Sequence, residues 1–308
     1  MIRAALASSA CWLAACALPP VAELEAQAAC VADPGTLAPA PPPLRRGFDA
    51  YYLQEETTRA LRAGQPTDVL DEVFEKAAAL EVTVIRTWAF NDSKEAIGDS
   101  TLQIDKLVYD EVALRALDHV LAGAHTRGVS LVMTLGNYWN DYGGVKRYVE
   151  WAGLPSPEEG DPRFFTDEGI RAHYRQHVQH LLGRVSTVDG LRWADHPAVL
   201  NWELLNEPRL QDPLLLPWFA EMATAIHAIA PAALVSSGQE GFSDQLSGVD
   251  VESMHLFPES WRWSPLDTAN KGRDFLVEHA RRARTAGRPL LFGELGLRND
   301  GAFELAER

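Results

Sequence analysis

From Gly47 to Leu295, short runs rich in β-branched and aromatic residues alternate with longer stretches in which apolar residues return every three or four positions. The runs GFDAYYL (47–53), VTVIRTW (82–88), SLVMTLG (130–136), AVLNWEL (198–204), LVSSG (234–238), SMHLF (253–257) and PLLFGEL (289–295) read as strands. The spacing predicts helices over 68–80, 107–127, 167–188, 214–229 and 271–286. Strand then helix, repeated, requires parallel strands joined by crossover helices. A doubly wound sheet and a (β/α)8 TIM barrel both satisfy that pattern. No Gly-rich phosphate loop follows the first strand, which counts against the nucleotide-binding version of the former.

The polar positions within the strands favour the barrel. Alternate residues of a barrel strand point inward, and functional groups gather at the C-terminal ends. Read by twos, VTVIRTW presents Val82, Val84 and Arg86; SMHLF presents Ser253, His255 and Phe257; PLLFGEL presents Leu290, Phe292 and Glu294. Glu207 lies just beyond the fourth strand with Asn206 beside it, so four strands deliver ionisable or amide groups to one rim. Glu203 shares the inward parity of Asn201 and is expected in a buried network, whereas Trp202 has outward parity and is expected to pack between strand and helix.

Composition adds limits. The chain has 308 residues, 46% hydrophobic and 23% charged, which suits one large globular domain. Its net charge of -15, with no Lys/Arg-rich run, excludes nucleic acid as the expected partner. The cysteines are Cys11, Cys16 and Cys30, so everything after residue 30 is expected to fold without a disulfide. The opening MIRAALASSACWLAAC reads as a signal peptide over 1–16, with Leu13-Ala14-Ala15-Cys16 resembling a bacterial lipobox; ordinary cleavage at Ala26-Gln27-Ala28 is the alternative. A Pro/Ala-rich tether over 17–44, including PGTLAPAPPP, leads to a domain over 45–308. The expected location is therefore secreted, or a periplasmic or outer-membrane lipoprotein of a bacterium, touching membrane only through a lipid on Cys16. The protein is expected to be a monomer.

His173, His177 and His180 stand at i, i+4 and i+7 on one predicted helix, but with no HExxH arrangement; they are expected on a solvated face, and no metal site is expected.

Two carboxylates from different strands, with an Arg and a His between them in barrel order, suit hydrolysis of a glycosidic bond with retention of configuration; simple ion pairing at the rim is the plainer alternative. One carboxylate has to be ionised to attack the sugar carbon, and the other has to hold a proton for the leaving oxygen. Arg86 is expected to keep Glu294 ionised as nucleophile, while partial desolvation and an ionised neighbour push the pKa of Glu207 up for the acid/base role. Asn206 is placed to hydrogen-bond the sugar hydroxyl next to the reacting carbon. No cofactor is needed for such a reaction.

WELLNEPR, preceded by HPAVLN, resembles the fourth-strand region of family five glycoside hydrolases, and is most similar to the β-mannanase branch. VIRTWAFND (84–92), NYWNDYGG (137–144), YVEWAG (148–153), HLFPESW (255–261) and LLFGELGL (290–297) extend the likeness in order from about Gly47 to Leu297. The resemblance implies Glu207 as acid/base, Glu294 as nucleophile, Arg86 and Asn206 as their supports, His255 on the site wall, and Asn137, Trp139 and Trp261 in loops that line a sugar cleft. It implies a β-1,4-mannan-type polysaccharide or oligosaccharide as substrate, with a β-1,4-glucanase on the same barrel, or a carbohydrate-binding relic with impaired turnover, as alternatives. Two departures accompany it. Phe257 stands where the family usually has a Tyr whose phenol hydrogen-bonds the nucleophile, and the chain stops at Arg308, soon after the seventh strand, so the eighth strand and its usual Trp are expected to be missing.

Overall fold

The computed structural model describes residues 44–92, 99–209, 213–240, 247–258 and 260–296. The expected signal peptide with Cys16, the tether up to residue 43, and the segment after residue 296 lie outside the described residues.

Seven parallel strands form the framework: β1 (Gly47–Asp49), β2 (Val84–Trp88), β5 (Ser130–Thr134), β6 (Val199–Glu203), β7 (Val235–Ser236), β8 (Glu252–Leu256) and β9 (Leu290–Leu295). The order β1-β2-β5-β6-β7 is continuous, a parallel bridge from Ser236 to Val251 carries it on, and β8 pairs β9. Arg86 of β2 bonds Glu294 of β9, so the two sides of the sheet face each other across an interior. This is (β/α)8-barrel architecture, with seven of its strands among the described residues.

The interior is polar and the outside apolar, as the strand parity predicts. Ile85, Leu131, Met133, Trp202 and Val235 point outward into the main hydrophobic cluster, where they meet Trp193, Trp218, Phe219 and Tyr174 under the helices. Buried Arg86, Thr134, Asn201, Glu203, Ser236, Ser253 and His255 belong to the alternate positions.

The helices are α1 (Leu53–Arg62), α2 (Asp68–Ala79), α3 (Glu111–Thr126), α4 (Gly144–Trp151), α5 (Arg163–Thr166), α6 (Glu168–Gly183), α7 (Leu215–Ile229) and α8 (Pro265–Ala286). Several expected boundaries move for identifiable reasons. The first strand ends at Asp49, a turn follows, and α1 starts at Leu53, the last residue of the expected strand; its buried positions include Gln54, Glu55, Thr57 and Thr58, so it lacks the aliphatic stripe that marks a helix in sequence. Helix α3 starts four residues late because Asp110 caps it, accepting from the Ala113 amide at 3.0 Å, and an unforeseen hairpin of β3 (Gln103–Asp105) and β4 (Val108–Tyr109) occupies the approach. Helix α6 is capped by Asp167 in the same way. Helix α4 was unforeseen. It begins at Gly144, whose φ of 57° and contact with the Trp139 carbonyl leave no room for a side chain.

The expectation of a solvated histidine face fails for two of the three. His173 and His177 are buried, at 2% and 0% exposure, because the β3–β4 hairpin and α4 cover that side of α6; His180 is exposed. Gln103 and Tyr109 of the hairpin bond His173 and His177, at 2.7 and 3.1 Å.

Candidate active site

The stretch LNWELLNEPR builds one half of the site. Strand β6 ends at Glu203, but the backbone stays in register: the Asn206 amide donates to the Gly136 carbonyl at 2.8 Å and the Glu207 amide to the Gly238 carbonyl at 2.9 Å. Glu207 itself has φ of 50°, a left-handed conformation uncommon for a residue with a side chain. That turn aims its carboxylate at two donors. Trp139 Nε1 donates to Oε2 at 2.7 Å, and His255 Nδ1 lies 2.8 Å from Oε1.

Arg86 organises the other half. Its Nε and Nη2 donate to Oε1 of Glu203 at 2.9 and 2.6 Å, and Nη2 also to Oδ1 of Asn206 at 2.7 Å. Its Nη1 donates to Oε1 of Glu294 at 2.7 Å and to Oδ1 of Asp49 at 3.2 Å. Glu203 has no exposure and accepts a further bond from Thr134 Oγ1 at 2.9 Å, which is the buried-network place its parity predicts. A guanidinium sunk among carboxylates is stable here because its donors point at fixed acceptors. Asn206 is held at both ends, since its Nδ2 donates to Asn137 Oδ1 at 3.0 Å.

His255 joins the halves. Its Nδ1 stands 2.8 Å from Glu207 and 3.7 Å from Oε1 of Glu294, and one ligand-capable atom from each of the three lies within 4.8 Å of the others. Nδ1 faces carboxylate oxygens and so carries the proton; its ring is seated by Gly293, where a Cβ would come within 2.6 Å of Nε2.

The electrostatics correct one expectation. Burial works to raise the pKa of Glu207, but the hydrogen bond from His255, the Trp139 N–H and the Arg86 charge outweigh it, and the group is held below the usual carboxylate range, not above. Asp49 goes the other way, to about 6, because burial outweighs Arg86 and the nearby Glu294 and Glu203 add to the rise. Glu240 is also raised, by burial and then by Glu207.

Of the residues singled out in sequence, Arg86, Asn137, Trp139, Asn206, Glu207, His255 and Glu294 meet in one connected network. Trp261 does not join it: its ring packs on Trp263 and Phe275 at 5.5 and 5.2 Å, as part of the β8–α8 corner. Arg209 lies over the Trp139 ring at 4.6 Å and 3.8 Å from Glu240. Asp49, Thr134 and Glu240 were missed. Asp49 is signalled by inward parity opposite Arg86, its partner in register, but a strand so short gives little pattern to read. An aromatic group of Tyr51, Trp88 and Tyr142, with Trp88 centred 5.0 and 4.7 Å from the two tyrosines, also forms beyond the ends of β1 and β2.

The chain is 32% identical over 256 residues to mannan endo-1,4-beta-mannosidase 1 of Arabidopsis thaliana, covering 73% of this chain and 59% of that one. It is 32% identical over 286 residues to mannan endo-1,4-beta-mannosidase 3 of Oryza sativa subsp. japonica, covering 81% and 59%. The chain thus spans about three fifths of the length of these curated relatives. Among solved structures it resembles the endo-beta-1,4-mannanase of Thermotoga petrophila, with a TM-score of 0.72 at 26% identity over 82% of this chain and 61% of that one. The fold also matches a glycoside hydrolase family 5 mannosidase from Rhizomucor miehei, with a TM-score of 0.75 at 24% identity over 87% and 72%. The expected location as a bacterial secreted protein or lipoprotein is overturned, because the curated relatives are plant mannanases; among the described residues no helix is long and apolar enough to cross a membrane. Residues 62–307 match the family described as GH family 5 beta-mannosidase-like, and the chain belongs to that family.

Proposed function

We propose that the protein is a retaining glycoside hydrolase that cleaves β-1,4-linked mannan-type polysaccharide by double displacement. The observation that carries this reading is the spacing of the carboxylates: an oxygen of Glu207 and an oxygen of Glu294 lie within 4.8 Å of each other. Retention needs carboxyl groups about 5 to 5.5 Å apart, whereas inversion needs about 6.5 to 9.5 Å to admit a water molecule.

In this mechanism Glu294 attacks the anomeric carbon and the bond to the leaving oxygen breaks, with Glu207 supplying the proton that oxygen takes. Water, deprotonated by Glu207, then displaces Glu294 and frees the sugar. Arg86 aims Glu294 through Nη1, and its other donors are fixed on Glu203 and Asn206, so the nucleophile is oriented before substrate arrives. Asn206 uses one amide hydrogen on Asn137 and has a second for a sugar hydroxyl. Glu207 is a carboxylate when the cleft is open; a saccharide that excludes water acts in the same direction as burial and favours the protonated form the first step requires. The relatives' names supply the mannan specificity of this proposal. Tyr51, exposed at 46%, with Trp88 and Tyr142 offers aromatic surface suited to the C–H face of a pyranose.

Phe257 favours a second reading, a carbohydrate-binding module with impaired turnover, because it brings no hydroxyl to Glu294. Reducing-sugar release from mannan, glucomannan and cellulose by the full chain, beside Glu294→Gln, separates the two. The enzyme reading expects release from mannan to fall at least about 1,000-fold in the variant, and the first product seen by proton NMR to be the β-anomer. Wild-type release no greater than the variant's, with mannan still bound, would establish the binding module instead. Faster release from cellulose than from mannan would move the substrate to β-1,4-glucan.

A further inference from the structure

Asp49 and Glu294 compete for one nitrogen. Arg86 Nη1 donates to Glu294 Oε1 at 2.7 Å and to Asp49 Oδ1 at 3.2 Å, while Nε and Nη2 are committed to Glu203 and Asn206. The guanidinium is 4% exposed, whereas the Asp49 side chain is 29% and the Glu294 side chain 23% exposed, so the cation is shielded and both acids keep an edge in water. The groups that face Asp49 are Arg86 from β2, Glu203 from β6 and Glu294 from β9, one cation and two carboxylates.

We propose that Asp49 is a positioning residue for Glu294: when ionised it takes up part of the Arg86 charge, leaving Glu294 less tightly paired and a stronger nucleophile. This rests on the hydrolase reading above. A carboxylate clamped by an undivided guanidinium is well aimed but poorly reactive, because its lone pairs are already engaged; a second anion on the same nitrogen loosens that hold without releasing the aim. The direction with pH follows. Asp49 ionises around 6, above the ordinary range, because burial outweighs the Arg86 charge and Glu294 and Glu203 repel a further anion. Below that pH Arg86 Nη1 is left to Glu294, and above it the two acids share the cation.

The test is Asp49→Asn, which keeps the shape and an oxygen for Nη1 but never ionises. With kcat and KM on mannohexaose measured from pH 4 to 8, the ratio of wild-type to variant kcat is expected to climb from near one below pH 5 to about fivefold above pH 7, centred near 6, with KM within about twofold. A packing role alone would lower kcat by the same factor at every pH. A ratio flat across the range overturns the proposal. Carbon-13 carboxyl titration provides a readout free of turnover: the wild type is expected to show an aspartate inflection near 6 and a coupled movement of the Glu294 signal, both lost in Asp49→Asn. If the wild type cleaves no mannan the hydrolase reading fails by itself, and a Glu294 signal that titrates identically in both proteins still overturns the role of Asp49.

Discussion

Two regions of the barrel bury ionisable side chains, and they solve the problem in opposite ways. Around Arg86, carboxylates share one cation and a dense set of donors. Beneath the β3–β4 hairpin, Asp92, His173 and His177 are equally hidden but are kept neutral: burial raises Asp92 to about 8 against the pull of Arg147, and lowers His173 to about 4 and His177 to about 3. Both carboxylate oxygens of Asp92, Nε2 of His177 and the hydroxyl of Tyr148 lack a hydrogen-bond partner. The rim pairs its acids with a cation where a reaction would need charge; the outer cluster discards charge, because the pull of Arg147 does not offset the burial of Asp92.

The sharpest way to break the contrast is to remove the cation. Arg86→Met leaves Glu203, Asp49 and Glu294 without their common partner, and Glu203 has no exposure through which to regain water. Loss of about 3 to 5 kcal/mol in urea unfolding at pH 7 is expected, together with a fall in kcat on mannan of about 100-fold or more. The stability loss is expected to shrink at pH 5, as the orphaned acids take up protons, whereas the loss of kcat is expected to grow, because a protonated Glu294 cannot attack. Equal destabilisation at both pH values would mean that Arg86 matters by packing alone.

That first region was largely legible in the sequence and the second was not, for a physical reason. Arg86, His255 and Glu294 stand on strands, where a period of two leaves no doubt about which face a polar residue occupies. Glu207 and Asn206 lie one turn past a strand, close enough to inherit its register. His173 and His177 stand on an amphipathic helix whose far side looks polar, and only the unforeseen hairpin and α4 turn that side into interior. Helix α1 was lost in the same way, since its buried Gln54 donates to Thr58 and to the Ser100 carbonyl instead of contributing to an apolar stripe. The Glu207 pKa was misjudged because desolvation can be read from a strand position, whereas the two donors that overcome it come from distant loops and strands.

A smaller effect is expected on neutralising the outer cluster further. Native Asp92 holds its proton up to about pH 8, whereas the unfolded chain releases it near 4, so stability is lost as pH rises between those values. Asp92→Asn removes the linkage. Its Tm at pH 7.5 is expected to exceed the wild type's by about 5 °C, with no gain at pH 4. A variant no more stable at pH 7.5 would show that the wild-type carboxylate is already ionised and solvated there, and the two regions would then be alike.

The smallest effect at neutral pH belongs to His177, and its sign is the reverse of Asp92. The unfolded imidazole takes a proton below about 6.5, and the buried one does so only near 3, so the native state loses stability as pH falls through that window. His173 adds a second slope down to about 4, because burial and the nearby Lys106 charge disfavour its protonated form. While both imidazoles are neutral in the native state, each contributes about 1.4 kcal/mol per pH unit of acid sensitivity. His177→Gln is neutral throughout and keeps an oxygen for the Tyr109 hydroxyl. It is expected to cost no more than about 1 kcal/mol at pH 7, yet to be the more stable protein at pH 4.5 in urea melts. A wild type and variant with parallel pH dependence from 6.5 to 4.5 would place a charged imidazole inside the cluster, and the division between a rim that pairs its acids with a cation and an interior that discards charge would no longer hold.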